Sequence, residues 1–243
     1  MKAMVLAAGL GARLRPLTDN RPKALVEVAG RTMLEITLSR LRTFGIHDVI
    51  VNVHYFAGII VDYLKANHYF GMHVEVSREK VLLDTGGGLK KAAHFFLDRG
   101  RDVDEPFILH NVDVISNIDL GHMVRFHKEN RALAALAVQS RKTTRPLLFD
   151  DRLQLRGRGG PELAPSSKQM QSLAFCGIHV ISPRIFAKMT EQGAFSIIDC
   201  YVRLSRENEN ILAFHADPYD WYDLGTPDRV RQAARQLTQK SLP

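Results

Sequence analysis

Close to its start the chain gathers Gly9, Gly11, Arg13, Arg15 and Lys23, a set suited to one kind of chemistry. Glycines let a backbone approach a ligand closely and turn its N–H groups inward. Arginine grips phosphate oxygens through two parallel hydrogen bonds, and lysine adds a compact charge. The apolar run Ala3-Met4-Val5-Leu6 precedes the loop and has the length of a buried strand. A strand opening into such a loop is a device for binding a polyphosphate. Two better-known phosphate loops are excluded: no Gly-x-x-x-x-Gly-Lys-Ser/Thr string occurs. In the dinucleotide pattern Gly-x-Gly-x-x-Gly the third glycine's place is taken by Leu14. Pro16 would also break a helix already under way there.

The elements that must hold this loop alternate along the chain. Thr32 caps a helix whose apolar stripe runs through Met33, Leu34, Ile36, Leu38 and Leu41 and stops at Gly45. Strands are expected at 49–53, 73–76, 106–110, 132–139, 173–181 and 211–214, the last of these being the final strand of the chain. Helices are expected at 56–65, 87–97, 120–130, 197–206 and 228–239, with a further helical stretch around Ile185. Residues 147–149 and 153–155 read as a hairpin, and 157–172, rich in Gly, Pro and Ser, as a mobile loop. The alternation predicts an α/β fold: a Rossmann-like, mixed but mostly parallel sheet flanked by helices on both faces, in one domain. Residues 1–113 and 114–243 make up the two halves of that domain. Ligands of such sheets bind outside the carboxyl ends of the strands, where both the opening loop and Asp113 fall.

The string Leu6-x-x-Gly9-x-Gly11-x-Arg13-Leu14-x-Pro16-Leu17-Thr18, followed by Pro22-Lys23, resembles the signature of the sugar-1-phosphate nucleotidyltransferases. Three later strings resemble that family's other elements in order: Leu83-Asp84-Thr85-Gly86-Gly87-Gly88, Asn111-Val112-Asp113, and Trp221-x-Asp223-x-Gly225-Thr226-Pro227. Val112 stands where the family's element has glycine. The resemblance implies magnesium-dependent transfer of a nucleoside monophosphate from a nucleoside triphosphate to a sugar 1-phosphate, with release of pyrophosphate, residues 1–113 forming the mainly nucleotide-binding half and 114–243 the mainly sugar-phosphate-binding half. It implies that Arg13 clamps the triphosphate with Arg15 beside it, and that Lys23 bridges the α-phosphoryl group and the incoming phosphate. Leu6, Ala7, Gly9 and Gly11, with Thr85 to Gly88, would hold the nucleotide, and Glu79 occupies the place of a base-reading side chain. Asn111 and Gly177 would line the sugar site, Arg158 or Arg156 would hold the sugar phosphate, and Asp113 and Asp223 would bind Mg2+. His110 adjoins Asn111 and is read as orienting it. Short members with Thr-Gly-Gly-Gly are similar to the N-acetylmuramate-1-phosphate uridylyltransferases, so UTP with an amino-sugar 1-phosphate is the preferred pair. Mannose- or heptose-1-phosphate guanylyltransferases, phosphocholine cytidylyltransferases and a non-catalytic nucleotide-sugar sensor are the alternatives.

The physical logic of such a reaction agrees with these residue types. The attacking phosphate is already an anion near neutral pH, so cations, not a strong base, must overcome repulsion between the reactants. Magnesium takes a few carboxylates and completes its shell with water and phosphate oxygens. Bulk properties narrow the rest. A chain of 243 residues can bury a large core. Its net charge of +7 is dispersed, with no nucleic-acid module and no ladder of aromatics among basic residues; a site for several phosphates explains some of the excess equally well, and no nucleic-acid partner is expected. Cys176 and Cys200 lie far apart outside any Cys-x-x-Cys, which points to a reducing cytoplasm. No leader or membrane-spanning stretch is expected. No repeat domain is expected after the last helix, and with it no acetyl transfer.

Overall fold

The computed structural model describes residues 1–97, 104–160 and 170–239. Its strands are β1 (Lys2–Leu6), β2 (Glu27–Val28), β3 (Arg31–Thr32), β4 (Asp48–Val53), β5 (His73–Arg78), β6 (Phe107–Asn111), β7 (Val114–Ser116), β8 (Ala134–Gln139), β9 (Leu147–Phe149), β10 (Leu155–Arg158), β11 (Gln171–Ile181), β12 (Ile211–His215) and β13 (Trp221–Asp223). Its helices are α1 (Met33–Thr43), α2 (Ala57–Ala66), α3 (Asp84–Lys91), α4 (Ala93–Phe96), α5 (Leu120–Glu129), α6 (Ile197–Arg206) and α7 (Pro227–Gln239).

The main sheet runs β12-β8-β11-β6-β1-β4-β5, with β9 and β10 added beside the first half of β11. β1, β4, β5 and β6 are mutually parallel, as are β8 and β12. β11 is antiparallel to both β6 and β8, so β8 and β12 point the same way as β1. The carboxyl ends of β1, β6 and β8 therefore open onto one edge. The pleat divides the core: Ala3 and Val5 of β1 face the layer of α1, α2, α5 and α7, while Met4 and Leu6 face that of α3, α4 and α6. This two-faced burial explains why the strands read as continuous apolar runs. The single α/β domain matches expectation.

Local signals worked where they were chemical. The Thr32 hydroxyl accepts the Glu35 N–H at 3.1 Å, and the Asp119 carboxylate accepts that of His122 at 2.9 Å, capping α1 and α5. Three expectations need correction. The helix after the second glycine-rich string begins at Asp84, so Thr85 to Gly88 are its first turns and not a turn before it. Residues 157–158 and 171–172 lie in strands, and 161–169 of the expected loop lie outside the described residues. The final strand is not 211–214: Trp221–Asp223 pairs antiparallel with Val114–Ser116. No described helix is long and apolar enough to cross a membrane.

Candidate active site

β1 delivers the chain into the glycine loop, which Lys23 closes from the far side. A Cβ on Gly9 would meet Lys23 Cε at 3.0 Å and Nζ at 3.1 Å, so glycine is what lets the lysine cross the loop. Gly11 has φ +67, accepts the Thr18 hydroxyl at 2.8 Å, and leaves no room for a Cβ against Thr18 and Lys23. Beyond the loop, Lys23 Nζ donates to Asp113 Oδ2 at 3.1 Å. Burial acts to raise the Asp113 carboxyl, but the Lys23 charge and hydrogen bond, with a contribution from Arg13, outweigh it and hold the group below the usual carboxylate range.

The second carboxylate arrives from the other end of the chain. In the β7–β13 ladder Asp223 stands opposite Val114, and the Leu224 N–H donates to the Asp113 carbonyl at 2.9 Å. Asp113, in the turn just before β7, and Asp223, at the end of β13, are thus brought to neighbouring positions. Asp223 Oδ1 accepts the Gly225 N–H at 2.9 Å, and Oδ2 pairs with Arg229. The Arg13 guanidinium reaches the same corner, where a Cβ on Gly225 would stand 3.0 Å from it and 2.9 Å from Asp223 Oδ1. Arg40 of α1, buried, anchors this ribbon through the Ser116 hydroxyl at 2.6 Å and the Ile118 carbonyl; burial pushes its pKa down to about 10. Val112 is fully buried in the core.

The nucleotide half is braced by one buried cluster. Asn52, at the end of β4, accepts the Ala7 N–H at 2.8 Å and donates to Glu79 Oε1 at 2.7 Å. Glu79 Oε2 accepts the Leu83 N–H at 3.0 Å. Both oxygens of Glu79 are thereby engaged within the protein and brace the turn that leads into α3. Gly88 abuts this pair, 2.8 Å from Glu79 Oε1 and 2.9 Å from Asn52 Nδ2 at its Cβ position. Gly86 and Gly87 serve another purpose: a Cβ on either would collide with Phe195 or the Gly193 carbonyl. The Thr85 hydroxyl accepts the Ile197 N–H at 3.0 Å, tying α3 to α6.

On the sugar half, Gly177 has φ +76, and its Cβ position lies 2.8 Å from Asn111 Nδ2, so these two expected neighbours do meet. His110 Nδ1 lies 2.8 Å from the Asn111 carbonyl, the bond that orients this turn. The basic residues expected to hold the sugar phosphate are engaged elsewhere: Arg158 bonds Ser196 at 3.1 Å and pairs with Asp199 at 2.8 Å, and Arg156 pairs with Asp150 at 2.6 Å. Arg15, strongly exposed, pairs with Asp19 at 3.6 Å and lies outside the cluster. Sequence reading missed Asn52, Arg229 and Arg40. For Asn52 a signal existed, a lone amide closing the run Val49-Ile50-Val51; for the arginines, charged residues within helices, there was none.

A mostly parallel sheet with a cationic glycine loop at one strand end and two aspartates facing it defines a phosphate-handling α/β enzyme. Comparison with known proteins gives the class. The nucleotidyl transferase family model matches residues 2–147, and the chain belongs to that family. It is 33% identical to the N-acetylmuramate alpha-1-phosphate uridylyltransferase of Caulobacter vibrioides, over 98% of this chain and 97% of that one. It is 29% identical to the UTP–glucose-1-phosphate uridylyltransferase AglF of Haloferax volcanii, over 99% and 98%. A crystal structure of a putative glucose-1-phosphate thymidylyltransferase from Bacillus anthracis superimposes with a TM-score of 0.81 at 20% identity, covering 97% of this chain and 94% of that one. The protein is a nucleotidyltransferase.

Proposed function

We propose that this nucleotidyltransferase joins UTP and an amino-sugar 1-phosphate, of the N-acetylmuramate type, to give a UDP-sugar and pyrophosphate. One observation carries the reading: Lys23, Asp113, Asp223 and Arg13, drawn from distant parts of the sequence, converge on one corner of the cleft. The near-full-length likeness to a muramate-phosphate uridylyltransferase supports the choice of substrates. Free, buried Cys176 and Cys200, both thiols pushed up to about 12 by burial, suit a reducing cytoplasm.

The donor set fits magnesium. Two carboxylates at neighbouring positions, one in the turn before β7 and one at the end of β13, supply part of a shell, and among the described residues no cluster of three or more His, Cys, Asp or Glu would complete a protein cage. Asp113 and Asp223 would hold the ion, which when bound neutralises phosphate charge. The chain's own groups do the remaining work. A sugar-phosphate oxygen attacks the α-phosphorus in line, forming the new P–O bond as the bond to pyrophosphate breaks. Lys23, released from Asp113, sits where the two anions meet and offsets their repulsion. Arg13 stabilises the charge gathering on pyrophosphate. The Asn52–Glu79 brace keeps the loop in place so that binding needs little reorganisation.

The test is a pyrophosphate-release assay crossing five nucleoside triphosphates with a panel of sugar 1-phosphates, with and without EDTA. UTP with an amino-sugar 1-phosphate is expected to give the highest kcat/KM, and EDTA to abolish it. Product with phosphocholine alone, or with GTP alone, overturns the substrate pair; undiminished turnover in EDTA overturns the metal.

A further inference from the structure

Arg141 lies two residues beyond the end of β8, on the sheet edge where β1 and β6 also end. Its guanidinium stacks on the Trp221 indole, 3.9 Å from the ring centre, and one of its NH2 groups donates to the Phe175 carbonyl at 2.9 Å. Trp221 is itself fixed, its Nε1 donating to the Cys176 carbonyl at 2.7 Å. These contacts place the cation in the sugar half of the cleft from two directions. Trp221 precedes Asp223 by two residues in β13 and shares its face. Cys176 precedes Gly177, the residue that meets Asn111.

The charge is held but not used. Among the described residues Arg141 makes no ion pair, and its Nε is buried without a hydrogen-bond partner. Asp217, on the segment after β12, is committed to the Ser140 N–H at 2.7 Å and to His215 at 3.3 Å. Arg156 and Arg158 have acidic partners of their own, and Lys142 and Arg145 are exposed. A cationic fork held rigid with no carboxylate partner among the described residues calls for an anion, and the planar guanidinium matches two oxygens of one anion.

We propose that Arg141, stacked on Trp221, receives an oxyanion of the sugar substrate, and so takes the place sequence reading gave to Arg158. The inference rests on the sugar-phosphate reading above. The anion is an oxygen of the substrate's phosphate or of a carboxylate carried on the sugar, and both present the same paired acceptors to the fork.

The experiment uses Arg141→Gln and Arg141→Met, the latter keeping an apolar stem on the indole so that one neutral variant folds. Either variant is expected to raise KM for the sugar 1-phosphate about 10- to 100-fold, as for loss of a charge-assisted contact, with KM for the nucleotide nearly unchanged. Arg141→Lys recovers part of that loss. Loss with every sugar 1-phosphate assigns the phosphate; loss confined to acidic sugars assigns the carboxylate. A second readout needs no turnover. Trp221 is the only tryptophan, so sugar 1-phosphate or inorganic phosphate, added with a non-hydrolysable UTP analogue, should change wild-type emission saturably and leave the neutral variants unmoved. Unchanged KM for the sugar 1-phosphate, or an equal rise for both substrates, overturns the proposal. An enzyme inert with every sugar phosphate but responding to phosphate in fluorescence rejects the substrate reading and keeps the anion site.

Discussion

Replacing Asn52 by alanine removes two bonds from a place where water cannot substitute for them. Asn52 and Glu79 are 2% and 5% exposed, and the amide is the link between the Ala7 N–H at 2.8 Å and Glu79 Oε1 at 2.7 Å. An unsatisfied buried N–H costs about 1–3 kcal/mol, and a carboxylate oxygen stripped of a donor at least as much. Relaxation of the loop recovers some of this, leaving about 2–5 kcal/mol. For a chain of this size each kcal/mol lowers Tm by about 2–4 °C, so a fall of about 4–20 °C is expected. Because Ala7 leads into the glycine loop, KM for the nucleotide should rise more than KM for the sugar 1-phosphate. Differential scanning calorimetry and two-substrate kinetics on Asn52→Ala read both effects. A Tm drop under about 2 °C with an unchanged nucleotide KM would refute the brace. Asn52→Asp sharpens the result, since it keeps the acceptor for Ala7 but sets a second carboxylate against Glu79.

Lys23→Ala removes the cation held 3.1 Å from Asp113 and should lower kcat by about 10²–10³-fold in the pyrophosphate-release assay, with the circular dichroism spectrum unchanged. Gly177→Ala forces a side chain to φ +76 and into Asn111, costing about 1–2 kcal/mol in the backbone alone, and should raise KM for the sugar 1-phosphate selectively; steady-state kinetics decides. Burial holds His110 and His127 at about 4 and His179 at about 3, whereas the unfolded residue titrates near 6.5. With folded values depressed below the unfolded one, the unfolded chain takes up protons first, so stability is intact above about pH 6.5 and falls as pH drops towards about 4. Each histidine adds a slope of about 1.4 kcal/mol per pH unit, and urea midpoints that stay flat from pH 7 to 5 would contradict this.

Most of the fold was legible because the strands obey one rule: buried on both faces, they are apolar throughout and end where polar residues begin. Helices α1 and α6 were legible for a different reason, a capping Thr32 and an apolar stripe from Ile197 to Leu204. What escaped depends on contacts across the chain. Trp221–Asp223 has no apolar run and is a strand only because Val114–Ser116 supplies its ladder. The start of α3 was misplaced because three glycines disfavour helix locally, while packing of Gly86 and Gly87 against residues 193–195 stabilises it. In the site, Lys23, Asp113 and Asp223 were singled out through the family resemblance, and the fold brings them to one corner. Arg229 was not, because its partner depends on how α7 meets β13, and no local pattern records that.

The β7–β13 ribbon has a consequence for biosynthesis. A ribosome-bound chain that has emerged through β12 has every strand of the main sheet, together with Lys23 and Asp113, and yet lacks the acid that β13 brings. Under the function proposed above, turnover would wait for β13 to dock on β7, so the reaction would belong to the finished chain and not to the sheet alone.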